Sequence, residues 1–578
     1  PTIPNASKFA CKCVPGDQCW PSEKDWKAFN LTIGGRLRKA VPAAAVCYNE
    51  FEGKSYYDKA ACDDLIQNWT VQEAIIETPL NPIRPYYSNM TCWPTTNPNE
   101  TCTIGYLSSF YIPTTTATAP TDLSSAIKFA RHKNIRFLVR NTGHDFMGRS
   151  VGYGSLAVNT HELKIVDFAK RYKGPGKYDG PAVTVGAGVQ GAELYASAFK
   201  QEPKVTVGYA GGYLQGGGHG PLATIYGMGA DQVLSFDVVT ATGDLVTANA
   251  NSHPDLYWAL KGGGPSTYAI AYRMSVKTPP EVPCAGTIIN INATHTNDSA
   301  LFWKAVEAFH GLSNLYVDNG MFVYYELSEL RLHIQPFVAP YMNSTQLKTT
   351  LTPLFTKLNA LQIPYETTTK DFPTFYELYT DMFEGNEGSD ISIIGGRFMS
   401  HDDIAQNSQA LVDAFHKAIH IPNWPGGFIV GHIVGPGVGK PVAESSTHPR
   451  WRNASSFSIT IVPTGRNFTL AQKAEARNVV TNVVGGPLRE ASPGGGAYVN
   501  GMPQFPSFFL VLMCEILKNI EGDLNEPNWQ TAYWGTNYPK LFEIRKKWDP
   551  SGVFYAETTP GTEKWYEVGD PPVLCRER

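Results

Sequence analysis

The sequence predicts an α+β protein of two domains that follow a cysteine-rich extension. Residues 107–285 alternate strand-like and helix-like segments, whereas residues 286–490 combine helices with strands in which aromatic residues alternate. A chain of 578 residues is also too long for one hydrophobic core. We therefore expect an extension at 1–106, a first domain at 107–285, a second domain at 286–490, and a closing segment at 491–578 that returns to the first domain.

The extension is rich in Pro, Cys, Asn and Thr and shows little periodicity, which predicts short helices and loops held by disulfides. Seven of the ten cysteines lie within the first 102 residues. Because seven is odd, at least one of them pairs with Cys284, Cys514 or Cys575, or stays free. The spacing of Cys11 and Cys13 is also compatible with a metal site, but no histidine cluster accompanies it. We therefore expect disulfides and no metal.

Composition and charge argue against several classes of function. The formal net charge is −4 and only 17% of the residues are charged, so the chain offers no basic surface to nucleic acid or anionic lipid. The longest apolar run, near 508–513, is far too short for a membrane span. We expect no nucleic-acid partner, no membrane insertion and a monomer.

Several features are typical of a secreted protein. The chain starts at Pro1 without a methionine or an apolar leader, which indicates a mature protein whose signal peptide has been removed. Ten cysteines and ten Asn-x-Ser/Thr sequons, in a chain with so few charges, favour an extracellular enzyme that carries N-linked glycans. The sequons begin at Asn5, Asn30, Asn68, Asn89, Asn99, Asn292, Asn297, Asn343, Asn453 and Asn467.

The first domain begins after a Thr-rich linker. Thr121 is the expected N-cap of a helix over 122–133. Strands are expected at 136–139 and over the mostly apolar run 233–239, and the segment 181–199 has the pattern of a strand, a turn and a helix.

The segment 181–199 also contains Gly186-x-Gly188-x-x-Gly191, which fits the dinucleotide-binding fingerprint. The next strand-like run, at 205–207, comes too soon for that fold. No acidic residue closes a strand about twenty positions on, as ribose binding requires. We therefore interpret these glycines as a structural turn.

The second domain begins with a helix within 294–312. His416 and His420 have the spacing of a helical metal pair, but no Glu follows the first His as a zincin requires, so two surface histidines are favoured. The sequence also lacks a Gly-x-Ser-x-Gly elbow and a P-loop. Antiparallel strands are expected at 321–328 and 330–338, further strands at 392–398, 427–434 and 455–462, and helices near 345–360 and 403–419.

Two loops carry the strongest functional signal. The segment RNTGHDF, at 140–146, follows directly on the strand 136–139, and the segment GGYLQGGGHG occupies 211–220. A glycine such as Gly143 lets the backbone approach a phosphate closely, and successive N–H groups in such a turn form an anion-binding nest. His144 lies just past this turn, within reach of a ligand that the turn would hold.

These loops and the segments after them resemble the FAD-binding domain of the vanillyl-alcohol oxidase superfamily, and within it the berberine-bridge-enzyme-like group of secreted plant and fungal oxidases. The order continues with DLYWALKGGG at 255–264. Near the C-terminus, 497–500 contains the tyrosine-x-asparagine motif of the group, and 533–557 matches its closing segment. The resemblance covers about residues 105–578 and implies a two-domain flavoprotein, in which 107–285 binds FAD and 286–490 binds substrate.

The resemblance implies that His144 bonds covalently to the C8-methyl carbon of FAD. A neutral imidazole is a good nucleophile, and the bond is expected to raise the reduction potential of the flavin. Many members carry a second link through a cysteine, but this chain has Val205 there and no cysteine between Cys102 and Cys284, so we expect single attachment. Tyr213 stands where many members have a histidine, and a phenol brings no positive charge to the reduced flavin.

The resemblance and the turn pattern together give the residues expected around FAD. Backbone groups of the two loops are expected at the pyrophosphate, and Asn500 is expected to contact FAD from the returning segment. The expected cofactor-binding residues are Asn141, Thr142, Gly143, His144, Asp145, Gly211, Gly212, Tyr213, Gly216, Gly217, Gly218, His219, Gly220, Gly227, Asp231, Val233 and Asn500.

Oxidation of a hydroxyl requires a base within hydrogen-bond reach, because a proton leaves as hydride leaves. Tyr498 is the best candidate by motif, and its high ordinary pKa means that it needs help from a cation or the flavin. Arg397 and His432 are the candidate helpers. Tyr324 and Tyr325 are candidates for the wall of the substrate pocket.

We therefore expect a secreted oxidase with one covalent FAD and a small-molecule substrate that is an alcohol, a phenol or a sugar. Hydride would pass to flavin N5, and O2 would be the acceptor that gives H2O2. A FAD-linked dehydrogenase or an oxidative cyclase of secondary metabolism would differ in electron acceptor and substrate. A secreted flavin-binding glycoprotein without catalysis is the alternative from another class.

Overall fold

The computed structural model describes residues 8–206, 212–295, 298–383, 391–436, 444–500 and 522–578. Gly211, Cys514 and the apolar run 508–513 lie outside these residues. The strands are β1 (Phe9–Cys11), β2 (Arg38–Lys39), β3 (Phe110–Pro113), β4 (Arg136–Arg140), β5 (Ser155–Asn159), β6 (Val166–Lys173), β7 (Asp179–Gly186), β8 (Val233–Thr240), β9 (Leu245–Asn249), β10 (Ala269–Lys277), β11 (Cys284–Asn292), β12 (Phe322–Leu327), β13 (Arg331–Pro340), β14 (Glu366–Phe372), β15 (Ser392–Ser400), β16 (Phe428–Ile433), β17 (Ala454–Pro463), β18 (Trp565–Val568) and β19 (Val573–Glu577).

The helices pack on the sheets that these strands form. They are α1 (Glu23–Thr32), α2 (Lys59–Asn68), α3 (Gln72–Glu77), α4 (Ala119–His132), α5 (Gly191–Phe199), α6 (Gly212–Gln215), α7 (Ala223–Tyr226), α8 (Gly229–Gln232), α9 (Pro254–Leu260), α10 (Ser299–His310), α11 (Ser313–Asp318), α12 (Ser344–Thr350), α13 (Thr352–Ala360), α14 (Phe375–Met382), α15 (His401–Ile419), α16 (Leu470–Asn478), α17 (Gly485–Ala491), α18 (Trp529–Trp534) and α19 (Tyr538–Trp548). Within the described ranges, none is long and apolar enough to cross a membrane.

The first domain is built on two sheets with α4 between them. One sheet has the order β2-β3-β5-β4, in which β3, β5 and β4 run parallel, and the other has the antiparallel order β6-β7-β10-β8-β9. The helix α4 contacts β4 and β5 on one side and β8 and β10 on the other. The predicted strands at 136–139 and 233–239 are confirmed as β4 and β8. The chain therefore leaves β4, at the end of a buried parallel strand, directly into the RNTGH turn.

The start of α4 differs from the sequence expectation. The helix begins at Ala119 and its N-cap is Thr118, so the prediction that Thr121 is the N-cap is wrong. Pro120 lies in the first turn, where its fixed φ suits the helix and where its missing N–H costs nothing. The proline therefore extends the helix toward the N-terminus instead of preceding it.

The glycines of the Gly-x-Gly-x-x-Gly segment are needed for close packing of backbone against backbone. A Cβ atom at Gly186 would lie 2.0 Å from the carbonyl oxygen of Leu163, and one at Gly188 would lie 1.9 Å from that of His161. Both distances are far below van der Waals contact, so a side chain does not fit at either position. The interpretation of this segment as a structural turn agrees with this packing.

The second domain is built on an antiparallel seven-stranded sheet with the order β14-β11-β13-β12-β16-β17-β15. The predicted strands and helices are confirmed, with two helices, α12 and α13, where one helical region was expected. Successive residues of each strand face opposite sides. Tyr325 and Val323 face a second core beneath α10, α13 and α15, whereas Phe322 and Tyr324 join the core that continues into the first domain. One face of this sheet is therefore the boundary between the two domains.

The extension is covalently joined to the closing segment. β1 pairs antiparallel with β19, and Cys11 lies opposite Cys575, to which it is disulfide-bonded. The odd number of cysteines in the extension is thus explained by a partner at the far end of the chain. Cys284 is free and buried. The other disulfides of the described residues, all within the extension, are Cys13–Cys19, Cys47–Cys62 and Cys92–Cys102.

Candidate active site

A cavity of about 210 Å³ opens where the turn after β4, the turn after β7, the short helix α6 and the loop before β10 meet. Its walls come from parts of the chain that are hundreds of residues apart, because the returning segment closes it with Val499 and Asn500. The predicted residues that line it are Asn141, Thr142, Gly143, His144, Asp145, Gly212, Tyr213 and Asn500. Gly211, which was also predicted, lies outside the described residues.

The turn after β4 is held from both sides. The amide of Asn141 donates to the carbonyl oxygen of Ala187 (2.6 Å), which fixes the turn against the end of β7. Gly143 has a φ of +82°, a conformation that side chains rarely adopt, and a Cβ atom there would lie 2.9 Å from the carbonyl oxygen of Asn81. The glycine therefore lets the backbone reach the cavity and the extension at once.

His144 follows this turn and is neutral. Burial, followed by the charges of Arg140, His161 and Arg84, lowers the pKa of His144 to about 3. An imidazole with so low a pKa keeps a nitrogen lone pair at any physiological pH. His144 thus presents a nucleophilic group rather than a cation at the cavity wall.

The loop after His144 is fixed by two residues with different roles. Asp145 accepts hydrogen bonds from the backbone N–H groups of Met147 (3.1 Å) and Ser150, so its carboxylate closes the loop. Arg149, which the sequence interpretation missed, donates to three acceptors of the C-terminal part of the chain. They are the carbonyl oxygens of Val499 and Glu557 and the hydroxyl of Thr558, each at 2.9 Å.

Asn500 joins the returning segment to the glycine loop. Its side-chain amide donates to the carbonyl oxygens of Gly212 (3.1 Å) and Tyr213 (2.7 Å). A Cβ atom at Gly216 would lie 1.8 Å from the Oδ1 atom of Asn500, so only glycine leaves room for this amide. Asn500, the asparagine of the tyrosine-x-asparagine motif, therefore sets the path of the glycine loop next to the cavity.

Gly217 and Gly218 turn the loop toward a buried aromatic cluster. Both have positive φ angles, +121° and +77°, and the N–H of Gly218 donates to the hydroxyl of Tyr498 (2.7 Å). Tyr213 packs over Gly218 and donates its hydroxyl hydrogen to the carbonyl oxygen of His219. Gly218, Gly220 and Gly227 line a smaller cavity of about 50 Å³ on the far side of Tyr213.

His219, His432 and Tyr498 meet in this aromatic cluster. The ring of His219 lies 5.0 Å from that of Tyr498 and 5.3 Å from that of His432, measured between centroids. Burial lowers the pKa of His219 to about 3 and the pKa of His432 well below its ordinary value, so both rings are neutral. Neither ring nitrogen of His432 has a hydrogen-bond partner among the described residues. Trp451, Phe457 and Tyr324 complete the cluster.

Two of the predicted catalytic residues lie elsewhere. The hydroxyl of Tyr325 lies 3.1 Å from that of Ser458 in the second core, on the opposite face of the sheet from Tyr324. Arg397 donates to the side chain (2.7 Å) and the backbone carbonyl (3.0 Å) of Ser492 and lines a separate small cavity. Both point away from the aromatic cluster because strand residues alternate, so the neighbour, Tyr324 or Phe398, occupies the facing position.

Asp231 and Val233 frame the glycine loop without lining the larger cavity. Asp231 forms a bidentate ion pair with Arg452, at 2.7 and 2.8 Å, and accepts the N–H of Met228 at 2.8 Å. Val233 begins β8, is buried in the core, and accepts the hydroxyl hydrogen of Tyr257 through its carbonyl oxygen. Asp231 therefore fastens the loop to the second domain.

The larger cavity fits FAD by the chemistry of its walls. Val139, Val189 and Ile270 give apolar surface for a ring system, and the turn at 141–143 offers backbone groups with a glycine at the point of closest approach. The carboxylate of Asp145 is already satisfied by two backbone N–H groups, so it does not face a phosphate as a bare negative charge.

Comparison with known proteins identifies the same parts of the chain. Residues 114–249 match the family model described as an FAD binding domain, and residues 521–559 match the one described as berberine and berberine like. The first match spans both loops at the cavity, and the second contains Glu557 and Thr558, two of the three residues that Arg149 contacts.

Curated relatives and solved structures cover nearly the whole chain. The FAD-linked oxidoreductase sor8 of Hypocrea jecorina is 34% identical over 99% of this chain and 94% of that protein. The VAO-type flavoprotein oxidase VAO615 of Thermothelomyces thermophilus is 30% identical over 98% of this chain and 95% of its own. The crystal structure of the VAO-type flavoprotein MtVAO615 from Myceliophthora thermophila has a TM-score of 0.87, 28% identity, and coverage of 98% and 100%.

The berberine bridge enzyme of Eschscholzia californica shares the fold, with a TM-score of 0.60 over 93% of this chain and 98% of that chain, at 15% identity. The expected two-domain α+β architecture is thereby confirmed. The chain therefore belongs to the berberine-like, vanillyl-alcohol-oxidase-type family of FAD-linked oxidoreductases.

Proposed function

We propose that this oxidoreductase is an oxidase that holds one FAD covalently through His144 and uses O2 to oxidise the hydroxyl group of an alcohol, a phenol or a sugar. The observation that carries the proposal is a neutral imidazole at the wall of a cavity whose other walls fit FAD. A histidine that had to remain protonated could not act as a nucleophile there.

The covalent bond would form between an imidazole nitrogen of His144 and the C8-methyl carbon. His144 would give up its N–H proton, and the methyl carbon would lose one hydrogen. The two electrons released would be taken up by O2 together with two protons to give H2O2. Val205, which is buried, offers no thiol for a second bond, so the attachment is single.

Substrate oxidation would take place against the aromatic cluster. FAD, when bound, accepts a hydride from the carbon that carries the hydroxyl group and passes two electrons to O2. The hydroxyl proton must go to the protein at the same time. Tyr498 is our candidate for that group, and His432, with two nitrogens that bond no described residue, is our candidate to bind a polar atom of the substrate.

We also place the protein outside the cell, as a glycosylated monomer. The support is chemical: the described residues contain four disulfides, and disulfides persist in oxidising compartments. Ten sequons provide acceptor sites for N-linked glycans.

A second candidate is an oxidative cyclisation or dehydrogenation in secondary metabolism. A relative that is 32% identical over 98% of this chain is named a bifunctional decalin synthase, of Penicillium decumbens. Measuring H2O2 in air with a panel of alcohols, phenols and sugars separates the candidates. Turnover with an artificial electron acceptor but no H2O2 would favour the second one.

The attachment is tested by denaturing the protein in acid and measuring flavin absorbance in the pelleted polypeptide. Wild type should keep its flavin in the pellet and His144→Ala should release it. His310→Ala is the control, since burial also lowers the pKa of His310 to about 3, but this residue bonds Ser456 (3.0 Å) and packs on Tyr325 and Phe415 in the second core. Flavin in the supernatant of wild type would contradict the covalent bond, and flavin that no substrate reduces would favour a binding protein without catalysis.

A further inference from the structure

Arg140 is a buried arginine that bonds only backbone carbonyl groups. It is the last residue of β4, next to the turn that leads to His144, and its side chain is fully buried. Its guanidinium donates to the carbonyl oxygens of Ile76 (2.9 Å), Ile75 (3.2 Å), Asn81 (3.1 Å) and the adjacent Asn141. Where the chain is described, no carboxylate forms an ion pair with it.

Three of these four acceptors belong to the disulfide-rich extension. Ile75 and Ile76 lie in the last turn of α3, where the helix dipole favours a cation. The carbonyl oxygen of Ile75 also accepts hydrogen bonds from the N–H (3.1 Å) and the hydroxyl (2.6 Å) of Thr78. Asn81 lies in the loop that follows. A single side chain of the first domain therefore binds both the end of a helix in the extension and the loop after it.

Other contacts hold the same stretch of the extension against the turn. The N–H of Ile83 donates to the carbonyl oxygen of Gly143 (3.0 Å). The side chain of Asn159, at the end of β5, donates to the carbonyl oxygen of Pro79 (3.0 Å). The stretch 75–83 thus surrounds the turn that carries His144, and Arg140 is the side chain at its centre.

We infer that Arg140 is a positioning residue through which the extension sets His144 for attachment of the flavin. The inference rests on the proposed function, in which His144 carries FAD. The extension is then a part of the cofactor site rather than an added cap, and one guanidinium group makes three of the hydrogen bonds that join it to the turn.

The charge of Arg140 also favours attachment, because it keeps the imidazole of His144 neutral while the hydrogen bonds hold the turn in place. Burial is the largest cause that lowers the pKa of His144, and Arg140 comes next, ahead of His161 and Arg84. Asp145 and Arg149 are the other charged groups on the loop; burial raises the pKa of Asp145 and the charge of Arg149 acts against that effect. Removal of the Arg140 charge therefore raises the pKa of His144, so that a larger fraction of the imidazole is protonated in mildly acidic solution.

The test is the rate of covalent attachment when flavin-depleted protein is incubated with FAD, followed as acid-stable flavin in the pelleted polypeptide between pH 4 and pH 8. Arg140→Met should slow attachment by about tenfold, the effect of losing one charged hydrogen bond. It should also shift the acidic limb of the pH profile upward into the measured range, whereas in wild type this limb lies near the His144 pKa of about 3, below that range. Arg140→Lys keeps the charge but reaches fewer carbonyl groups. It should therefore restore the position of the acidic limb and only part of the rate, and it provides a folded variant if Arg140→Met is unstable.

Arg545→Met is the matched control. Arg545 is also buried and donates to backbone carbonyls, of Thr267 and Phe554, and it does not line the cavity. It differs from Arg140 in that it also forms an ion pair with Asp549 (2.7 Å), so loss of its side chain is at least as costly to the fold. Attachment in Arg140→Met at the rate and with the pH profile of Arg545→Met would overturn the inference. Wild type that retains no acid-stable flavin would overturn the covalent bond itself. Because this second outcome depends on wild type alone, it is distinct from a failure of the role proposed for Arg140.

Discussion

The hydroxyl of Tyr498 accepts a 2.7 Å hydrogen bond from the backbone N–H of Gly218. Tyr498 belongs to the segment that returns from the second domain, and Gly218 belongs to the glycine loop of the first. The residue that the motif marks as the base is therefore also an anchor of the loop beside the cavity. Its two roles can be separated, because one affects stability and the other affects turnover.

Tyr498→Phe should lower kcat by about 10²–10⁴-fold if the phenol takes the substrate proton, and should cost about 1–3 kcal/mol of stability for the unpaired Gly218 N–H. Steady-state kinetics and urea unfolding measure the two effects. Tyr533→Phe is the control, because its hydroxyl also accepts a backbone N–H, that of Asp523, at 3.0 Å. Equal kcat values in the two variants would rule out a role of Tyr498 as base.

Gly216→Ala should disturb the glycine loop and lower the fraction of protein that holds flavin. The new methyl group would occupy the place of the Asn500 amide, and overpacking of this kind costs about 1–3 kcal/mol. Gly486→Ala is the control, since a Cβ atom at Gly486 meets nothing within 4 Å. Flavin content, measured as the ratio of absorbance at 450 and 280 nm, should fall only in the first variant.

Asp231→Asn should destabilise the protein by about 1.5–3 kcal/mol, because it removes the buried carboxylate that accepts two hydrogen bonds from the partly exposed Arg452. Asp179→Asn removes a carboxylate with the same bidentate geometry, to Arg171, on the surface. Solvent screens that pair, so its loss should hardly change unfolding. Similar midpoints of urea denaturation for the two variants would contradict the anchoring role of Asp231.

Lys261 should make stability depend on pH in the alkaline range. It is buried at the end of α9, donates to the carbonyl oxygen of Glu444 (2.8 Å), and has a pKa that burial lowers from 10.5 to about 8. The unfolded chain holds this proton more tightly, so the free energy of unfolding rises as the pH rises from 8 toward 10.5, and the full cost is present below pH 8.

In Lys261→Met this titration is absent. The difference in unfolding free energy between wild type and the variant should therefore change by about 3 kcal/mol across this range. Urea titrations at pH 7.5, 9 and 10 measure that difference. A constant difference would show that the pKa of Lys261 is not lowered in the folded protein.

Local patterns predicted the local parts of the site. The strand β4, the turn through Gly143 and the position of His144 at its end follow from a few consecutive residues, and the structure places them at the cavity. The same holds for the glycine loop, whose close approach to Asn500 needs a residue without a side chain. These features depend on backbone geometry that the residue types themselves restrict.

The sequence could not predict which side of the sheet each strand residue faces. In β12, Tyr324 and Tyr325 are adjacent, and an irregularity in the pairing with β13 falls between Val323 and Tyr325. One residue of register decides which tyrosine meets His432, and the sequence alone does not set it. The partners of Arg140 and Arg149 were missed because they lie about sixty and several hundred residues away in sequence, where no pattern connects them.

The bond between Cys11 and Cys575 turns almost all of the described chain into a covalent ring. A protease that cuts one exposed loop anywhere between these residues opens the ring but releases no fragment. Such a nicked molecule would migrate at full mass on a non-reducing gel and separate into two pieces only after reduction. If the protein is secreted, as we propose, a single cut by an extracellular protease would open the covalent ring without releasing any part of the chain between Cys11 and Cys575.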